Sequence, residues 1–383
     1  MPQLNYKDGS KQAIDPTGTK LLREFQHEIP LMSCVIDPTG RWCFSGGRGR
    51  KIYVTDINTG LTEAWDDHES WVVASARWGT PDVRVISPRV EQPPEPSEDD
   101  RRTPVAGADG RQSLVVTGDL VGRLIGWDTL GPNPEVRWSI ETGHGTLRTV
   151  AISTDGKLVA TAGGDGMVRL WSATDGALVR GLAGHACPVF SSGFHPDGKH
   201  LLTGDRGDQK IKQWDYRDGC EVREFDAKEL SNYKGGTDIN YGGVRDLAFT
   251  PDGTVVFCCG RDSYGRPGLV LQFDWETGKQ IRKQVSTFAS SIFHHVAFHP
   301  QGFFVTSGVG AQTGEIWFWE PDQDEKLASL KVAGPAYGMD LHPDGRHLAV
   351  AQMMGPSTYG DKGVVGLYEM PLVEIGDKPP EPG

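Results

Sequence analysis

The chain has 383 residues, among them 50 glycines, 25 prolines and six cysteines, and a formal net charge of −12. A chain of that length outgrows a single layered core, so it holds either two domains or a repeat array. The acidic balance argues against a broad nucleic-acid or anionic-membrane surface, which needs clustered Lys and Arg, so neither is expected as a partner.

The start, MPQLNYKDGSK, has no apolar core, and no run of 18 apolar residues follows anywhere. Neither a signal peptide nor a transmembrane helix is therefore expected, and the reading places the protein in the cytoplasm. Cys34, Cys43, Cys187, Cys220, Cys258 and Cys259 form no CxxC pair and are too irregular for a disulfide framework, which makes them buried free thiols.

In chain order, residues 20–25 (KLLREF) read as a first strand, and a turn glycine then punctuates the sequence again and again. It occurs as DPTG (Gly40), STDG (Gly156), HPDG (Gly198), TPDG (Gly253), HPQG (Gly302) and HPDG (Gly345). Residues 71–128 hold a further unit, with SARWGTPD in place of the turn and Gly126-Trp127-Asp128 at its end. The best-formed copy spans residues 184–215, from Gly184-His185 to Trp214-Asp215. Its three apolar runs alternate with a period near two between Gly/Asp turns, which is a strand pattern. Two insertions interrupt the spacing: residues 87–112, rich in Pro and acid, and residues 226–243. The first has the composition of a solvated linker.

Units of 40–45 residues with GH and WD marks resemble the WD40-repeat family. The resemblance covers residues 18–371 and implies an all-β fold, a seven-bladed β-propeller of four-stranded antiparallel blades. In that scheme the last blade lacks its outer strand. Residues 20–26 supply it by pairing beside 363–369 and close the ring, so that no long edge is left unpaired. The blades occupy residues 27–371, and residues 372–383 form a tail.

The family resemblance also implies His–Ser/Thr–Asp–Trp tetrads, matched here as His144, Thr161, Asp165 and Trp171 in blade 3 and as His185, Thr203, Asp208 and Trp214 in blade 4. Val121 stands where blade 2 would need its Asp, and Thr55 and Tyr368 stand where blades 1 and 7 would need Trp, so those blades are expected to lock by packing. The tetrads are read as framework, because a buried polar group must find a partner. His195, His299 and His342 precede prolines in three different blades, too far apart to share a metal ion. Adjacent His294 and His295 are expected on opposite strand faces, unable to chelate together. No metal or cofactor is expected.

Aligning each first strand on its last apolar residue picks out Met32, Ala74, Arg148, Phe190, Arg245, His294 and Tyr337. By resemblance, these lie at the top mouth of the central channel. The surrounding loops add Arg48, Arg50, Tyr233, Tyr241, Arg261, Tyr264, Arg266 and Tyr359. Aromatic and Arg side chains suit a hot spot, and Arg can grip a carboxylate with two hydrogen bonds. The function expected is therefore a non-catalytic scaffold binding a protein or acidic peptide, either as a monomer or within a complex. The alternatives are a lactonase-like propeller hydrolase, disfavoured by a ring without Asp or Glu, and a structural subunit of a larger assembly.

Overall fold

In a computed structural model of the chain, the described residues are 4–5, 11–79, 113–182, 184–230, 242–262, 267–287, 291–310, 313–355 and 360–374. They form seven four-stranded antiparallel sheets, each meandering outward from an inner strand. The fourth blade shows the plan, with strands Val189–Phe194, His200–Asp205, Lys210–Asp215 and Cys220–Asp226 from inside to outside. The inner strands of the others are Leu31–Ile36, Val72–Gly79, Leu147–Ile152, Asp246–Phe249, Ile292–Phe298 and Ala336–Leu341.

Ring closure follows the expected register. The strand Lys20–His27 pairs with Lys362–Glu369, from Lys20 opposite Glu369 to His27 opposite Gly363, and so becomes the outer strand of the last blade. The chain also builds a further small sheet, in which Lys11–Ile14 is flanked by Leu4–Asn5 and Leu372–Glu374. Part of the expected tail is therefore a strand. Ile14 seats this sheet on the ring, since its N–H donates to Gln301 Oε1 at 2.8 Å and its side chain joins Phe303 and Phe318 in the core.

The core is divided among the junctions. Each blade is covered on both faces by its neighbours, so its second strand is buried on both faces, as Ser113–Asp119 is along its whole length. Phe225 of blade 4 meets Phe273 of blade 5 edge to face at 5.6 Å, within one cluster shared by those two blades. Cys258 belongs to that cluster, whereas Cys259, one residue on, packs on blade 6.

The turn histidines also join blades. His195 Nε2 donates to the carbonyl of Gly253, His299 to that of Gly345 and His342 to that of Gly40, at 2.7–2.8 Å. Each of these glycines belongs to the equivalent turn of the next blade. Gly253 needs its missing side chain twice: its φ is +73°, and an added Cβ would lie 2.7 Å from the His195 ring.

Two tetrad assignments are corrected. In blade 4 the partner of His185 is Asp205, at 3.2 Å from Nδ1, not Asp208. Asp205 ends the second strand, and its other oxygen accepts the N–H groups of Asp208 and Gln209 at 2.9 Å, which folds the loop back over it. Thr203 bridges His185 Nε2 at 2.7 Å and the Trp214 indole N–H at 2.8 Å.

Blade 2 has a tetrad after all, built on the same strand-end position. Thr117 lies 2.9 Å from His68 Nε2 and accepts from Trp127 at 2.8 Å, and Asp119 sits 3.5 Å from His68 Nδ1. The hairpin position held by Val121 is not where this Asp is needed. In blade 3 the group is His144, Thr161, Asp165 and Trp171, each contact at 2.8 Å, with Arg169 added 2.6 Å from Asp165.

Candidate functional site at the channel mouth

A β-bulge near the start of the inner strand aims one residue at the channel. The register slips between Leu31 and Ser33, Leu147 and Thr149, Val189 and Ser191, Phe293 and His295, and Ala336 and Gly338. The residues left over are Met32, Arg148, Phe190, His294 and Tyr337. In blade 2 the slip lies between Val72 and Ala74, so Val73 holds the equivalent place and Ala74 is one step further along. Pairing of Trp78 with Leu114 adds a residue to that strand, and alignment on Trp78 shifts the register by one. In blade 5 the pairing of Asp246 with Cys259 puts Arg245 at the equivalent position.

All seven residues read from the sequence, and Val73 with them, line one cavity of about 630 Å³ along the channel. Arg261 also reaches it. Arg48 lies over the exposed Trp71 ring at 4.6 Å, and Arg50 Nε donates to the His68 carbonyl at 3.1 Å, so both stand at the junction of blades 1 and 2. Tyr233, Tyr241, Tyr264, Arg266 and Tyr359 lie outside the described residues, as do residues 87–112.

The mouth is electrostatically lopsided. Phe190 is the hub of a cationic half: the guanidinium carbons of Arg245, Arg148 and Arg206 lie 5.0, 5.2 and 5.7 Å from its ring centroid. Arg206 was not anticipated, although it follows its second strand as Arg48 follows the equivalent strand of blade 1. Its backbone is fixed by an N–H donated to the Pro188 carbonyl at 2.9 Å and packs on Gly243, where an added Cβ would come within 2.5 Å of its Cα. Burial, then the charges of Arg148 and Arg206, push Arg245 down to about 10, and burial with Arg206 lowers Arg148. Both remain cationic at neutral pH. Met32 and Val73 continue the ring beside Arg148, while His294 and Tyr337 face each other at 4.8 Å.

The bulge also overturns the expected separation of His294 and His295, since both line the cavity. Their environments differ. Burial and the Arg245 charge hold His294 well below its ordinary value. Burial pulls His295 down as well, but the hydrogen bond and charge of Asp246, 3.2 Å from Nδ1, leave it raised.

The channel wall does contain carboxylates, which the seven-residue ring left out. Asp246 accepts the N–H of Val296 at 3.1 Å, bracing blade 5 to blade 6, and Asp340 accepts that of Ile36 at 2.8 Å, bracing blade 7 to blade 1. Burial raises Asp340, with Arg77 at 3.4 Å pulling the other way.

Among the described residues, one His/Asp group has metal-like spacing, namely His342, Asp344 and His347. Both nitrogens of His342 and one of His347 are already engaged within the fold. His342 Nδ1 accepts the Asp344 N–H at 3.1 Å while Nε2 bonds Gly40, and His347 Nδ1 meets the Asp344 carboxylate at 2.7 Å. His195, Asp197 and His200 repeat the arrangement in blade 4, with contacts of 3.2, 2.8 and 2.6 Å. The group is a turn device occurring twice.

Comparison with known proteins agrees with the fold. The family model described as WD domain, G-beta repeat matches residues 19–56, 137–172, 176–215 and 230–265. These four matches fall within a ring of seven four-stranded blades, so the chain carries WD40 repeats and has a β-propeller fold. Among curated proteins it is similar to Protein groucho of Drosophila melanogaster, 30% identical over 118 residues. That stretch is 31% of this chain and 16% of the relative, so the likeness spans a small part of groucho's length.

Proposed function

We propose that this protein is a non-catalytic scaffold that binds a protein segment bearing acidic groups at the top mouth of its channel. The observation that carries this reading is the convergence of Arg148, Arg206 and Arg245 on the ring of Phe190, which with Arg148 and Arg245 lines a cavity of about 630 Å³. A concave site joining cations to apolar and aromatic surface favours an acidic partner with an anchoring side chain. The WD40 repeats and the likeness to groucho support an interaction role in general terms. All six cysteines are free thiols, which suits the cytoplasm as its location.

The hydrolase reading has a new candidate in the His295–Asp246 pair. Asp246 is already engaged by backbone N–H groups of two blades, which favours a bracing role.

The test is quantitative affinity capture from the native source with wild type and with Arg148→Ala/Arg245→Ala, checked first for an unchanged fold. Partners recovered at least tenfold less with the variant support the mouth as the binding site. Undiminished recovery of every partner defeats the proposal.

A further inference from the structure

Two of the three guanidiniums around Phe190 stand apart from the rest of the molecule's charge pairing. The guanidiniums of Arg148 and Arg206 take part in no hydrogen bond or ion pair among the described residues, yet each lies over the same ring and each residue is half-buried. Several other arginines are tied to carboxylates: Arg77 to Asp340, Arg123 to Glu69, Arg169 to Asp165 and Arg346 to Glu369. Holding like charges together without a counter-ion is unfavourable, and the proximity of Arg206 to both Arg148 and Arg245 is felt by both. A guanidinium over an aromatic face keeps its N–H edge for acceptors, so the ring presents these forks ready-made.

We propose that the Arg148–Arg206 pair around Phe190 is a binding site for a phosphoryl group carried on a side chain of the partner protein. This rests on the reading of the mouth as the docking site and goes further by naming the group that enters it. One carboxylate brings a single charge and two oxygens. A phosphorylated Ser or Thr brings a charge of about −1.5 to −2 at neutral pH and three strong acceptors, enough to serve two guanidiniums at once. Arg245, at the same ring, adds to the field that favours the dianion.

The neighbouring surface argues for a side chain in preference to a free anion. Beside the cationic half the same cavity is lined by Met32, Val73 and Tyr337, apolar and aromatic surface that inorganic phosphate would leave uncovered. A phosphorylated peptide can place its neighbouring residues there.

The full-length protein is titrated against three fluorescein-labelled octapeptide pools of random flanks, with central phosphoserine, aspartate or serine, and binding is read by fluorescence anisotropy. Inorganic phosphate is added as a competitor, and Arg148→Lys/Arg206→Lys, which keeps both charges but removes the forks, is compared after its melting curve is recorded. The expected result is at least tenfold tighter binding of the phosphoserine pool than of the aspartate pool, with that preference collapsing in the Lys variant. Equal binding of the two acidic pools overturns the phosphoryl assignment and leaves the acidic-partner reading standing. If no pool binds, the phosphoryl site is wrong, and the capture experiment decides the broader reading separately. Displacement by inorganic phosphate at the same concentration as by the phosphopeptide pool makes this a small-anion site and defeats the protein-borne source.

Discussion

His195 on the fourth blade donates its Nε2–H to the carbonyl oxygen of Gly253 on the fifth, at 2.8 Å. Its Nδ1 accepts the N–H of Asp197 at 3.2 Å, and its ring stacks on Trp275 with centroids 3.7 Å apart. Both nitrogens and one face of the imidazole are thus consumed by the fold. The same relationship joins His299 to Gly345 and His342 to Gly40. Residues that look reactive in the sequence are fasteners between blades.

Replacing His195 by Ala removes a buried inter-blade hydrogen bond and a stacked ring together. The expected cost is about 2–4 kcal/mol, from the lost packing and the orphaned Gly253 carbonyl. Thermal unfolding followed by circular dichroism measures it. A loss below about 0.5 kcal/mol, the range of an ordinary surface change, would show that the fastener contributes nothing.

The blade 4 tetrad makes a contrast between two aspartates. Asp205→Ala leaves buried His185 and two loop N–H groups without their acceptor, and about 2 kcal/mol or more is expected to be lost. Asp208→Ala, at an exposed position, should stay within about 0.5 kcal/mol. Denaturant titration of both variants ranks them, and the reverse order would restore Asp208 to the tetrad.

Deleting residues 1–26 removes the outer strand of the last blade and uncovers a row of unpaired N–H and C=O groups along Lys362–Glu369. The whole protein should then melt at a lower temperature in one cooperative transition, because every blade is held by its neighbours. An unchanged melting curve would contradict closure by this strand.

His27 ends the closing strand, 4% exposed and 4.6 Å from the Tyr53 ring, and burial lowers its pKa to about 4. Its folded pKa lies below the ordinary value of 6.5, so the unfolded chain binds the extra proton first. Stability is therefore full above pH 6.5 and falls as the pH drops towards 4, by on the order of 3 kcal/mol from this group. Urea unfolding at several pH values, with His27→Leu as reference, reads the effect. A wild-type slope between pH 6.5 and 4 no steeper than that of the variant would rule it out.

Much of the fold is legible in the sequence because each repeat carries its own turn. A turn glycine, usually after Asp and flanked by runs of period two, marks the first hairpin of most repeats. Seven copies then leave one strand over, which locates the closure at residues 20–26. The tetrads are legible only in part. His185, Thr203 and Trp214 sit at fixed strand positions, whereas a helpful Asp can stand at the strand end, as Asp119 and Asp205 do, or in the hairpin, as Asp165 does. Spacing alone does not choose between these places.

The channel mouth divides the same way. Counting from the end of the first strand finds six of its seven positions, since the strands are alike, but blade 2 carries an added residue that moves the position from Ala74 to Val73. The bulge that turns both His294 and His295 to the cavity has no marker in composition or period.

The sequence by itself determined the repeat, the number of blades and the strand that closes them, because those follow from local turns and alternation. Only the tertiary structure decided which polar groups remain available, because hydrogen bonds between blades join residues as distant as His342 and Gly40, and the Asp246, Asp340 and His195 that look chemical alone are used up in holding the ring. Arg148 and Arg206 stand out for the opposite reason: neighbouring elements bring them together over Phe190, and the fold gives neither a carboxylate among the described residues.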